Sequence, residues 1–388
     1  MKFLSLLGLV FATLTASSPA QPADCQCFNE IAEQTFRPII EEYDLPGLAI
    51  GVTFEGQQHI FTTGMADQAG AVSVTSDTIF ELGSISKLFN VTLAALAEER
   101  DMLSLTATVS EVMPALEGSA FDQITMEDLA THANGGLPLQ VPSSITSNAD
   151  LASWLSEWNP SGDVRATRSY SNMSIGLLGQ IVGDIFSDSY EIAVTEYLLP
   201  DLGLENTFIT VPDTAMAQYA FGYAIDSDTP IRVNPGMLDA EAYGVKSTVK
   251  DMLRFLDAHL GHINISSEVS AALARTRVAS YDTAHFAQAM IWEEYPWPVD
   301  PAQLAAGNGV DMILNPQPIT RREESMTGTT LLNKTGSTNG FGAYVAMVPS
   351  EDIGVVVLAN RKYPNVVRAE ATLELVESLL AEQCRRPR

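Results

Sequence analysis

What most restricts the folding of this chain is the placement of its strand-forming runs, which stand in pairs at the two ends with helical sequence between them. Leu48 to Phe54 and His59 to Gly64 are rich in β-branched and aromatic residues, and Glu55-Gly56-Gln57-Gln58 between them reads as a hairpin turn. Ala343 to Val348 and Ile353 to Asn360 make a second hairpin around Pro349-Ser350-Glu351-Asp352. Each hairpin has one helix outside it. Phe28 to Tyr43 carries apolar Ile31, Ala32, Phe36, Ile39 and Ile40 at helical spacing and stops at Pro46-Gly47, and a closing helix runs from Val367 to Glu382. The middle reads mostly as helices, over Ser84–Arg100, Met126–His132, Asn148–Trp158, Ser174–Phe186 and Ser189–Leu199. Strand–helix–strand units of the parallel kind are not visible, and there are no repeats. The expected class is therefore α+β: an antiparallel sheet drawn from both ends and flanked by helices, with a helical domain inserted. The expected boundaries are 21–83 with 211–388 for the sheet domain and 84–210 for the helical one.

The 388 residues are 46% hydrophobic and 18% charged, which suits a globular protein and excludes a disordered or fibrous one. Lys2 followed by the apolar run Phe3 to Ala16 and small Ser18-Pro19-Ala20 reads as a signal peptide cut after Ala20, so a periplasmic or secreted protein is expected. No later segment reaches spanning length, so no membrane anchor is expected. With 48 acidic against 21 basic residues the net charge is −27, a balance that repels nucleic acid and anionic lipid. Three cysteines, Cys25, Cys27 and Cys384, lie at opposite ends. In an oxidising compartment one of the first two can pair with Cys384 and staple the termini.

Three short patterns carry chemistry. Ser84-Ile85-Ser86-Lys87 opens an apolar helix, placing the hydroxyl at its N-terminus and the amine one turn on, on the same face. Serine attacks only when a base takes its proton, and a lysine can be that base only when burial or nearby positive charge keeps it neutral. The same spacing recurs in Ser247-Thr248-Val249-Lys250, which reads as an ordinary helix start. Tyr170-Ser171-Asn172 supplies a phenol that ionises more readily beside lysines and an amide that can hold a substrate amide. It has its own decoy in Tyr363-Pro364-Asn365. Lys334-Thr335-Gly336 occurs once, just before a strand, where an amine and a hydroxyl can meet a carboxylate and a glycine admits a substrate close to the backbone.

All three in this order resemble the class C serine β-lactamases, within the larger family that includes penicillin-binding DD-peptidases. The likeness extends over Phe80 to Lys87, Thr131 to Gln140, Tyr170 to Gly176, Leu238 to Thr248, Lys334 to Gly342, Leu358-Ala359-Asn360 and Tyr363-Pro364-Asn365. The resemblance implies hydrolysis of β-lactams, with a cephalosporin preference, by a monomer without cofactor or metal. It makes Ser84 the nucleophile, Lys87 its proton-transfer partner and Tyr170 the general base, with the sharing of the proton between Tyr170 and Lys87 left open. Lys334 and Thr335 would position the substrate carboxylate, with Asn365 and Arg368 nearby. Asn172 and Gln140 would hold the amide side chain beside Tyr243, and the backbone N–H groups of Ser84 and Ser337 would form the oxyanion hole. One departure is Lys362, at a place where the resemblance implies a neutral polar residue. The segment Pro301 to Met326 carries no assigned site.

Two alternatives remain: an esterase or D-amino-acid peptidase using the same parts, and a penicillin sensor without turnover. His259 and His262 are three apart on a helix but have no third ligand, and read as solvated helix residues. His132 reads as structural.

Overall fold

Helix α1 (Ala23–Glu42) leads into strands β1 (Gly47–Phe54) and β2 (Gln57–Asp67). Helices α2 (Ser86–Glu99), α3 (Asn172–Phe186), α4 (Asp239–Tyr243) and α5 (Val249–Leu260) follow. Strand β3 (Glu293–Pro296), the short helix α6 (Asp311–Leu314), strands β4 (Thr330–Ser337), β5 (Gly342–Val348) and β6 (Ile353–Ala359), and helix α7 (Asn365–Ala381) complete the order. This computed structural model describes residues 23–187, 189–323 and 328–381, with side chains from Cys27 onward. The signal peptide expected at 1–20 and the thiol of Cys384 lie outside the described residues, as does the side chain of Cys25. Cys27 is disulfide-bonded.

Among the described residues, ten strands form one antiparallel sheet. Its order is Thr320–Arg321, Tyr281–Asp282, Ala287–Gln288, β3, β4, β5, β6, β1, β2 and Val72–Ser73. The two ends of the sequence therefore meet inside the sheet, where β1 pairs with β6 in the register Leu48 to Ala359 through Phe54 to Ile353.

Period-2 alternation fixes which side chains face which layer. Leu48, Ile50, Val52 and Phe54 of β1 join Ile353, Val355 and Val357 of β6 in a core shared with Phe28, Ile31 and Phe36 of α1 and Leu375, Val376 and Leu379 of α7. The opposite face of β1 meets α5. A side chain on Gly51 would strike Val249 and Leu253, and Thr53 donates a 2.5 Å hydrogen bond to the Asp257 carboxylate. Helix α2 is buried from Ser86 to Ala97, so it is the core of the helical layer rather than a surface helix.

The expected helices and hairpins are present with ends shifted by a few residues. The decoy at Ser247 is a helix start, where Thr248 caps α5 by accepting from the Asp251 N–H and Lys250 pairs with Asp77 on the surface. One expectation is corrected: His259 is not solvated. It is 4% exposed, packed edge-on against Phe255 and Trp292. Burial, then the nearby charge of Arg277, hold its imidazole well below the usual range, so it stays neutral.

Candidate active site

Ser84 sits on a single 3-10 turn, Gly83–Ile85, that feeds directly into α2. Two glycines bring this turn against β4. Gly83 has φ +54°, and a Cβ there would lie 2.4 Å from the Ser337 nitrogen; a Cβ on Gly336 would lie 1.9 Å from the Leu82 carbonyl oxygen. Side chains at either position would push the two backbones apart.

Lys87, one turn along and wholly buried, donates to Ser84 Oγ at 3.0 Å, to Asn172 Oδ1 at 2.7 Å and to the Ala242 carbonyl of α4 at 2.7 Å. Burial disfavours its ammonium and the charge of Lys334 adds to this, while Tyr170 opposes, bringing the amine down from 10.5 to about 8. Burial alone would raise the Tyr170 phenol. The charges of Lys334 and Lys87, with a hydrogen bond to Ser84, outweigh it and bring the phenol from 10.0 to about 8. Both ammonium nitrogens stand 5.3 Å from the Tyr170 ring centre. A phenol and an amine with nearly matched affinities thus flank one hydroxyl, and either can give up its proton close to neutral pH.

Tyr170 lies just before α3, whose cap Ser171 accepts from the Ser174 N–H and donates to the Pro138 carbonyl. Asn172 opens that helix and donates to Gln140 Oε1 at 3.0 Å, so one amide links Lys87 to the exposed Gln140. Lys334 and Thr335 are buried on β4, with Lys334 Nζ 3.6 Å from Glu293 Oε1. Ser337 Oγ is 3.5 Å from Asn365 Oδ1 at the start of α7. Arg368 is fully buried beneath this strand. It donates to the Gly336, Ala343 and Tyr363 carbonyls and to Ser337 Oγ, so it shapes the backbone around the site rather than facing the cleft.

Two adjoining cavities of about 460 and 530 Å³ reach Ser84, large enough together for a drug-sized ligand. The first carries Gln140, Asn172, Tyr243 and Arg232 on its walls; the second carries Tyr170, Thr335 and Asn365. Sequence reasoning missed several members. Asn308, Val310, Ile313 and Leu314 line the second cavity from a segment that carried no assigned site. Glu293 reaches both Lys334 and Arg168, and Arg168 bonds Gln288 and the Met312 carbonyl while its guanidinium lies 5.5 Å from the Tyr170 ring centre. These residues follow no motif; only a run of buried charges in β3 could have pointed to them. His132, with φ +61°, packs tilted against Tyr170 with the ring centres 4.4 Å apart and accepts from the Ser171 N–H.

The family model described as Beta-lactamase matches residues 32–379, nearly the whole described chain. The chain belongs to the beta-lactamase family. A beta-lactamase of Psychrobacter immobilis is 39% identical over 378 residues, covering 96% of this chain and 94% of the relative. The crystal structure of a beta-lactamase from Sulfitobacter sp. EE-36 is 53% identical and superposes with a TM-score of 0.90, covering 94% of this chain and all of that one. A class C beta lactamase from Rhodobacter sphaeroides is also 53% identical, with a TM-score of 0.88 over 90% of this chain and 99% of that one. The mixed architecture with its large antiparallel sheet is that of the class C beta-lactamases.

Proposed function

We propose that this chain hydrolyses β-lactams through an acyl-enzyme on Ser84, as a serine enzyme of the class C type. The observation that carries the reading is the Ser84 hydroxyl held 3.0 Å from a desolvated Lys87 amine, beside the buried Tyr170 phenol whose proton affinity is lowered. Tyr170, with Lys87, takes the Ser84 proton as Oγ bonds to the lactam carbonyl carbon. The carbonyl oxygen becomes an oxyanion facing the backbone N–H groups of Ser84 and Ser337, which Gly83 and Gly336 allow to lie close. The C–N bond breaks as its nitrogen takes up the proton, leaving an ester on Ser84. Water, activated by the same pair, then attacks that ester and frees the serine.

In this reading Lys334, Thr335 and Asn365 hold the substrate carboxylate, and Arg368 supports the Ser337 backbone from below. Gln140 and Asn172 hold the acylamino group, directing its substituent toward Tyr243. The apolar wall of Ile225, Val310, Ile313 and Leu314 suits the second ring substituent that cephalosporins carry. The site then lies between a sheet domain, 21–83 with 211–388, and a helical domain, 84–210. Export after cleavage at Ala20 and a monomeric state complete the proposal; the mass of the mature protein and light scattering check them.

The decisive experiment is steady-state turnover of nitrocefin and benzylpenicillin by the unaltered protein and by Ser84→Ala. Turnover lost in the variant, with a covalent adduct on Ser84 caught by mass spectrometry, is the expected result. A stable adduct without turnover would favour a penicillin-binding peptidase or sensor, and hydrolysis of a p-nitrophenyl ester alone would favour an esterase.

A further inference from the structure

Of the five lysines within the described residues, four are committed. Lys87 and Lys334 belong to the buried cluster, Lys246 donates to the Ile209 carbonyl at 2.7 Å, and Lys250 pairs with Asp77 at 2.7 Å. Lys362 alone makes no hydrogen bond or ion pair among the described residues. It is exposed, in the loop between β6 and α7, and it lines both cavities that reach Ser84. Its neighbour Arg361 is neutralised by Asp44 and Asp228. The remaining cation of the first cavity, Arg232, is sandwiched between Tyr219 and Phe221 and donates to the Tyr219 and Ala220 carbonyls. The position is notable against a net charge of −27, where a free ammonium would ordinarily find a carboxylate.

The geometry points to Lys362 as a specificity-determining residue that receives a second anionic group of the substrate. That group is a carboxylate, sulfonate or sulfate on either substituent, separate from the carboxylate assigned to Lys334 and Thr335. Those two side chains are buried on β4, whereas Lys362 is solvent-exposed and stands where the two cavities adjoin, within reach of groups entering either one. The acidic surface repels a dianion approaching from solution, and one uncommitted cation beside the reacting serine offsets that repulsion locally. This inference rests on the β-lactamase reading and names the substrate class within it.

The test compares matched substrates that differ by one charge: benzylpenicillin with its α-carboxy analogue, and a cephalosporin with a neutral substituent at position 3 with one bearing a sulfonate there. The measured quantity is the ratio of kcat/KM, dianion over monoanion. Lys362→Gln should lower that ratio about two- to fivefold for at least one pair, the range expected of an exposed ion pair. Lys362→Glu should lower it further, Lys362→Arg should preserve it, and added salt should erase the wild-type advantage. Ratios unchanged in every variant, or both members of each pair falling alike, would overturn the proposal while leaving the β-lactamase reading standing. Failure of the unaltered protein to turn over any of the four would defeat that reading first and this inference with it.

Discussion

Lys87 and Tyr170 show how strongly surroundings decide the chemistry of a side chain. Neither residue type is a base near neutral pH in water, yet burial brings the Lys87 amine, and the charges of Lys334 and Lys87 bring the Tyr170 phenol against its own burial, to about 8. The sign of the stability effect follows. The folded values lie below 10.5 and 10.0, so between about pH 8 and 10 the unfolded chain holds more protons and both groups add stability as pH rises. Below that window the buried Lys87 ammonium is a standing cost. A spectroscopic titration should show one tyrosine forming phenolate with a midpoint near pH 8, absent in Tyr170→Phe; a first midpoint well above 9 would contradict it. The same substitution should lower kcat by about 10²- to 10⁴-fold, the range for loss of a general base. Ser84, Lys87, Tyr170 and Lys334 were legible in sequence because each sits in a short pattern whose spacing has a chemical reason. Glu293 and Arg168 were not, because a buried ion pair has no spacing to read, only a location that folding assigns.

Among the elements, the contact between the Gly83–Ile85 turn and β4 is the most exacting. With a Cβ on Gly83 2.4 Å from the Ser337 nitrogen and φ at +54°, Gly83→Ala should cost about 1–3 kcal/mol of stability. Its effect on kcat should exceed its effect on KM, because the two backbone donors would separate. Unchanged kcat in a folded variant would show that they tolerate separation. The hairpins β1–β2 and β5–β6 and helices α1, α2 and α7 were legible from periodicity, since each buries a face large enough to impose a pattern. The two-residue strands Tyr281–Asp282, Ala287–Gln288 and Thr320–Arg321 are too short for any pattern, and only the neighbouring strand identifies them. Helix α6 escaped for the same reason, although its Leu314 is among the most exposed large apolar residues and lines the second cavity.

For the whole molecule, charge is the dominant long-range quantity. At −27 the compact state repels itself, and screening should relieve that strain. Raising sodium chloride from about 0.01 to 0.15 M shortens the screening length from about 30 to 8 Å. A gain on the order of 1 kcal/mol, a Tm rise of roughly 1 °C, is expected from calorimetry at pH 8. A fall in Tm would mean that local ion pairs such as Arg275 with Glu98 and Glu127 outweigh the global repulsion.

The pairing of β1 with β6 has a consequence for biosynthesis. The opening strand waits for a mate that the ribosome supplies only after β3, β4 and β5, so the emerging polypeptide carries an unfinished sheet throughout that stretch of synthesis. During that interval β4 can pair with β3 and β5, but the sheet stays split between those strands and the β1–β2 hairpin until β6 is made and fills the gap.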